Sequence, residues 1–386
     1  MNRKRMTDNL LQLVQIDSHS KKEGAIAKYI KGYLEKLGME VLFDDAGGKT
    51  GGETGNLIAR LSGNVSEAPP LLIAAHMDTV EPGIGVKPIV EQDRIRSDGR
   101  TVLGGDDKSG VAVICELLHT LIEEKIPHGP IDAVFTICEE AGLLGAKYLD
   151  LSLIRAKQGL VLDSDSATQI ITKAPAADRM EFIVYGLEAH AGVCPEKGIS
   201  AIRIVAFAIA NMKLGRIDEE TTANVGVIEG GTATNIVTKM VKVKAEARSH
   251  NIAKLDAQTA HMKKTFEDAA NKYVVEINGE KIHGRVDSYI QREYSKMDVS
   301  DSAPIVQLIK RAAKKLGYDV QSLPTGGGCD ANILNGRGLL VVNLGTGMHD
   351  IHTVKEYLLL EDFYRSLDMV LEVVKENARM YSKANV

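Results

Sequence analysis

Leu71-Leu72-Ile73-Ala74-Ala75-His76-Met77-Asp78 is an apolar run that stops at a histidine and a carboxylate. A short apolar run bounded by polar residues reads as a buried strand. The arrangement recurs along the chain. Residues 133–138 run into Glu139-Glu140, Leu160-Val161-Leu162 runs into Asp163, and residues 339–344 lead through a glycine-rich loop to His352. Asp106-Asp107-Lys108 opens a helical pattern. An open α/β sheet gathers groups at the carboxyl ends of its strands, where its ligands bind. Two histidines and several carboxylates meeting there would hold hard or borderline divalent cations, and such a centre can activate water.

Outward from that strand, helices and strands alternate. Ile26, Tyr29, Ile30, Tyr33, Leu34 and Leu37 form one helical stripe, with Gly38 at the C-terminal glycine position. Strands are expected at about 39–43, 56–61, 70–75, 131–138 and 159–163, a polar loop at 49–55, and a helix at about 109–124. Alternation of this kind predicts a largely parallel, covered sheet. Near residue 177 the character changes. Val241, Val243, Ala245 and Ala247 alternate with Lys242, Lys244, Glu246 and Arg248, a period of two with one buried face. Strands near 180–185, 225–228, 239–248, 273–277 and 282–291, with helices near 202–209 and 252–272, give the ferredoxin-like order βαββαβ. After about 297 the first style returns, with Pro304 in the first turn of a helix. The expected architecture is α/β: a mostly parallel-sheet domain made of residues 1–176 and 298–386, interrupted by an inserted α+β domain at 177–297.

At 386 residues, 44% apolar and 26% charged, the chain has an ordinary globular composition. Its net charge of −5 makes no electrostatic case for nucleic acid or an anionic membrane as partner. The four cysteines are far apart, which fits buried thiols rather than a disulfide framework. Met6, Leu10, Leu13 and Val14 lie at helical spacing behind a basic start, the pattern of an amphipathic helix rather than an export signal. A cytoplasmic protein is expected.

Each polar cluster has a bland reading beside a chemical one. Asp78 is placed to orient His76, since residues two apart in a strand share a side; it is equally a helix-capping type. Asp106 and Asp107 suit a helix N-terminus through capping and the dipole. Glu139 and Glu140 point to opposite faces if the strand continues, so that one can bind metal while the other accepts a proton. Asp163 and Asp165 share a side, and either is a ligand or a turn cap. His349 and His352 follow Gly345-Thr346-Gly347.

Taken in order, His76-Met77-Asp78-Thr79-Val80, Gly104-Gly105-Asp106-Asp107-Lys108-Ser109-Gly110, Glu139-Glu140, Leu162-Asp163 and Ile351-His352-Thr353 resemble the M20 family of metallopeptidases, most closely its peptidase T-like branch. Gly186-Leu187-Glu188-Ala189-His190-Ala191-Gly192 matches within the insertion. The resemblance implies a zinc-exopeptidase-like fold with the inserted domain as lid and dimerisation surface. It implies two divalent ions, zinc with cobalt or manganese as alternatives. His76, Asp106 and Asp163 would hold one ion; Asp106, Glu140 and His352 would hold the other, with Asp106 bridging. Glu139 would be general base and later acid, Asp78 the partner of His76, and His190 the oxyanion donor reaching across a homodimer. Asn235, Arg248, Gly327 and Gly328 match the family's substrate-binding regions, and no other cofactor is implied.

The expected activity is release of the N-terminal residue from short peptides, tripeptides especially. A related dipeptidase, carboxypeptidase or N-acyl amino acid deacylase shares the same metals and base. From a different class, a catalytically silent metal-binding or assembly protein would keep the fold but lose a ligand or the base, and none is lost.

Overall fold

The computed structural model describes residues 2–382, which form two compact units. The second unit is Ala174–Lys296 with Gly326–Gly328, and the first is the rest of the chain.

The first unit is built on one large sheet. Its central strands, in spatial order Ile131–Thr136, Leu71–His76, Gln158–Val161 and Leu340–Leu344, all run parallel. Leu57–Leu61 and Glu40–Phe43 continue one edge antiparallel, and Gln169–Ala174 joins the other edge antiparallel. The middle strands are buried along their whole length, so they read as unbroken apolar runs. The next two parallel strands along the chain, Ile131–Thr136 and Gln158–Val161, lie on opposite sides of Leu71–His76, and an open α/β sheet binds its ligands at the carboxyl ends of strands beside such a reversal.

Helix limits follow the local signals. Gly24–Lys36 ends one residue before Leu37, and Gly38 takes the left-handed conformation (φ +79°) that frees it from the helix. Pro304–Leu316 begins on its proline and stops at Gly317 (φ +75°). Arg3–Val14 buries Met6, Leu10, Leu13 and Val14, the predicted stripe.

Several expectations need correction. The strand before Glu139 stops at Thr136, and Cys138 turns left-handed (φ +51°), so Glu139 and Glu140 lie on a turn rather than on opposite faces of a strand. Asp163 and Asp165 lie beyond a strand that ends at Val161, in a bend rather than on one strand face. Asp165 accepts the Ser166 N–H, a turn-capping bond. The loop expected at 49–55 begins only at Gly51, because residues 49–50 belong to a short helix, Ala46–Thr50.

The second unit is an antiparallel sheet in the order Gly215–Arg216, Thr221–Gly230, Met240–Ser249, Ala176–Tyr185, Arg285–Tyr294. Its four long strands, with helices Ala201–Ala210 and Ile252–Lys272, have the ferredoxin-like arrangement. Val241, Val243, Ala245 and Ala247 face a core with Phe182, Ile204 and Phe266, and the Phe182 and Phe266 rings stack at 4.3 Å. The strand expected near 282–291 is two. Glu280–His283 closes a hairpin with Val274–Ile277, and Gly284 separates it from Arg285–Tyr294. A Cβ on Gly284 would sit 2.5 Å from Ile204 Cδ1 and 3.0 Å from the Ala270 carbonyl, so a side chain there would require Ile204 to shift. Among the described residues no helix is long and apolar enough to cross a membrane.

Candidate metal centre

At the strand ends the structure gathers His76, Asp106, Glu140 and His352, while Asp163 groups with His76 and Asp107 rather than with Asp106. His76 is the last residue of the central strand. Asp106 stands at the start of Gly105–Glu123 in an extended conformation (φ −80°, ψ 103°), and the Asp106–Asp107 peptide is cis. The helix proper begins after Asp107, whose Oδ1 accepts the Gly110 N–H at 3.1 Å in N-cap fashion. His352 enters from the loop after Met348–His349, with φ +62°.

Asp106 is the centre of the cluster. Its Oδ1 lies 3.0 Å from His76 Nε2 and its Oδ2 3.1 Å from His352 Nε2. Glu140 Oε1 is 3.0 Å from the same His352 nitrogen. Donor atoms of His76, Asp106 and Glu140 fall within 4.8 Å of one another, and so do those of His76, Asp107 and Asp163. His349 belongs to neither group; its ring stacks on Tyr357 at 5.1 Å.

Asp78 organises the opposite side. Its Oδ1 accepts the Glu139 N–H at 2.9 Å, and its Oδ2 accepts the Glu140 N–H at 3.2 Å and the Ser20 hydroxyl at 2.6 Å. His76 Nδ1 bonds the backbone carbonyl of Asp78 at 2.9 Å, and the carboxylate stands off at 3.5 Å. The strand ends at His76, so the two side chains do not project in parallel; the carbonyl orients the ring instead.

The electrostatics mark a site short of positive charge. Burial holds the Glu139 and Asp163 carboxyls well above the carboxylate range, reinforced by their acidic neighbours. Burial likewise raises Glu140, against the pull of His352. For Asp106 burial works the same way, but the bonds to His352 and His76 outweigh it and hold its pKa down. His352 is raised to about 10 by Asp106 and then Glu140. Burial opposes charge on His76, yet Asp106 and Asp78 raise it. Carboxylates crowded with two imidazoles suit a divalent cation, whose charge would relieve the repulsion that these shifts record. The donor set therefore fits the metal that the motifs imply.

Some members of the site carry no obvious signal in sequence. Glu356 Oε1 accepts the Asp106 N–H at 3.0 Å and its Oε2 the Gly104 N–H at 2.9 Å. Asn343 Oδ1 accepts the Asp163 N–H at 2.8 Å. Asp330 is buried against Thr136, and burial lifts it to about 6. Lys108 is fully buried, donates to the Ile16 carbonyl at 2.7 Å and is lowered by burial to about 8. A lysine in the first turn of an apolar helix opposes the helix dipole, which is the one sequence sign that it has another task.

The remaining predicted residues belong to the second unit. His190 is exposed, with Nδ1 accepting the Gly192 N–H at 3.2 Å. Asn235 is exposed, and its carbonyl accepts the Ala191 N–H. Arg248 places Nε and Nη2 on the Glu246 carboxylate at 3.0 and 3.1 Å. Gly327 and Gly328 fall in the short stretch grouped with this unit; a Cβ on Gly328 would overlap the Tyr294 ring.

Residues 72–376 match the model of peptidase family M20/M25/M40. An uncharacterized protein, YqjE of Bacillus subtilis (strain 168), is 44% identical over 98% of this chain and 100% of its own length. Aminopeptidase PepT from Bacillus cereus ATCC 10987 is 42% identical and superposes with a TM-score of 0.85, covering 98% of this chain and 99% of that one. A tripeptidase from Staphylococcus aureus subsp. aureus Mu50 is 38% identical at a TM-score of 0.90, with the same coverage.

Proposed function

The chain belongs to peptidase family M20/M25/M40, and from that premise we propose that it is a dinuclear metal-dependent exopeptidase that releases the N-terminal residue of tripeptides. One observation carries the reading: the two carboxylate oxygens of Asp106 face different histidines, as a residue shared by two metal ions must. The names of the similar Bacillus and Staphylococcus enzymes support the substrate class.

His76, Asp106, Asp163, Glu140 and His352 would hold the ions. Bound there, divalent cations supply a Lewis acid for the scissile carbonyl and make water more acidic. Glu139 takes the proton of the attacking water and returns it to the leaving amine. Asp78 fixes the turn that presents Glu139 and Glu140.

Zinc is the assigned metal, with cobalt and manganese as alternatives, since histidine and carboxylate donors accept all three. The assigned setting is cytoplasmic. The assigned assembly is a homodimer through the second unit. Its edge strand Arg285–Tyr294 is ten residues long and leaves Tyr289 58% exposed, an edge that calls for protection or pairing. His190 of the partner subunit would then supply a donor where negative charge develops on the substrate oxygen. Asn235, Arg248, Gly327 and Gly328 are assigned to substrate binding.

The test is a series of di-, tri- and tetrapeptides with free and acetylated N-termini, run on stripped protein restored with each metal in turn. Cleavage confined to tripeptides with a free amine supports the reading. Preference for acetylated substrates would make the protein a deacylase instead.

A further inference from the structure

Residues 16–23, Ile16-Asp17-Ser18-His19-Ser20-Lys21-Lys22-Glu23, precede the stretch matched by the family model and join the helices Arg3–Val14 and Gly24–Lys36. A plain connector would bond to itself and to water. This one bonds to itself through Lys22 N–H to the His19 carbonyl and Lys21 N–H to Glu23, and it also bonds to loops of the candidate centre. Lys108 Nζ donates to the Ile16 carbonyl at 2.7 Å and the Thr79 N–H to the Ser18 carbonyl at 2.9 Å. Ser20 Oγ donates to Asp78 Oδ2 at 2.6 Å, and the Cys138 N–H donates to Glu23 Oε1 at 2.9 Å. Lys108 is two residues past Asp106, Thr79 follows Asp78, and Cys138 immediately precedes Glu139.

Glu23 is the telling residue. It occupies the N-cap of Gly24–Lys36, yet its side chain makes no capping bond to that helix. Instead Oε1 of the fully buried carboxylate accepts the Cys138 N–H at 2.9 Å and, within the connector, the Lys21 N–H at 2.9 Å. Cys138 is held left-handed at φ +51°, a conformation that a non-glycine residue keeps only when its surroundings impose it. That turn directs the next two N–H groups, of Glu139 and Glu140, onto Asp78. Ser20 completes the arrangement by donating to the Asp78 oxygen that also receives Glu140.

We propose that Ser20 and Glu23 are positioning residues of the metal centre: Ser20 sets the Asp78 carboxylate, and Glu23 fixes the Cys138 turn that presents Glu139 and Glu140. Neither touches a reacting atom. This rests on the two-metal reading of the site given above.

The experiment compares Ser20→Ala, Ser20→Thr, Glu23→Ala and Glu23→Gln with the parent, each stripped and titrated with Co(II). The readouts are Co(II) stoichiometry and affinity, the visible Co(II) absorption band, and kcat and KM on a tripeptide. Loss of a group that bonds a metal ligand typically costs about 10–100-fold in metal affinity or activity; Ser20 and Glu23 act one bond further out, through Asp78 and Cys138, so a loss at the low end, about tenfold, is expected in both alanine variants, with a changed Co(II) band. Because the effect falls on the centre and not on peptide contacts, KM should stay within about twofold. Ser20→Thr keeps a hydroxyl donor and Glu23→Gln keeps an oxygen acceptor, so both should recover to within a few-fold of the parent. Alanine variants with the parent's band, affinity and kcat would overturn the inference, as would a Glu23→Gln variant as impaired as Glu23→Ala. If Glu23→Ala does not fold, Ser20→Ala decides, since Ser20 is only partly buried. A parent protein that takes up no Co(II) would sink the two-metal reading itself, a result distinct from silent variants of a metal-binding parent.

Discussion

Asp106 Oδ2 lies 3.1 Å from His352 Nε2, tying the start of one helix to a loop 246 residues later in the chain. Asp106 Oδ1 meanwhile faces His76. His352→Ala should therefore lose one of two bound ions and keep the other. Metal analysis after equilibrium dialysis checks this, and retention of both ions would remove His352 from the ligand set. The stripped parent should be inactive and recover with added divalent cation; activity that persists after verified stripping would defeat the mechanism.

Glu139→Gln keeps the shape of the turn and its bond to Asp78 but removes the basic oxygen. General base catalysis contributes about 10²–10⁴-fold, and kcat should fall by that order while metal content and KM hold. A variant with two ions bound and near-normal kcat would reassign the base.

Lys108 gives a pH prediction. Burial lowers it from 10.5 to about 8, so between those values the unfolded chain holds more protons than the folded one. Stability must then rise with pH through that window, the penalty being complete below about pH 8. His352 acts in the opposite sense: raised to about 10, its pairing stabilises at low pH and is lost as pH passes that value, in parent and variant alike. Urea unfolding of metal-free parent and Lys108→Met should thus diverge in the parent's favour by about 2 kcal/mol between pH 7.5 and 9.5, on roughly 1.4 kcal/mol per pKa unit. Parallel curves would mean that Lys108 carries no such penalty.

His190→Ala should lower kcat strongly at unchanged metal content. Mixed with Glu139→Gln under conditions of proven subunit exchange, it should regain partial activity, because one site of each heterodimer then holds both groups. Absence of recovery would place His190 within its own chain's reaction or outside catalysis.

The covered sheet, the helix stripes and the second unit's period-two strand were legible in order and type. Apolar periodicity is a local property, and burial of Leu71–His76 or Val241–Ala247 follows from it directly. That His76 and Glu139 come after apolar strands was legible from the sequence, but the choice of Asp106 over Asp107 and of His352 over His349 rests on the family resemblance. Glu356 and Glu23 were not legible. Each acts through a bond to a backbone N–H far away in sequence, and a backbone amide has no residue type to read. Nor did local pattern reveal that Cys138 leaves the strand to turn left-handed, because its apolar neighbours continue the strand signal through residue 138. Local chemistry, then, gives the type and order of most elements and the residue types able to hold a cation, and the family resemblance selects among them. The pairing of one Asp106 oxygen with His76 and the other with His352, and the support of that centre by residues 16–23, arise only when distant strand ends meet and buried polar groups must find partners there.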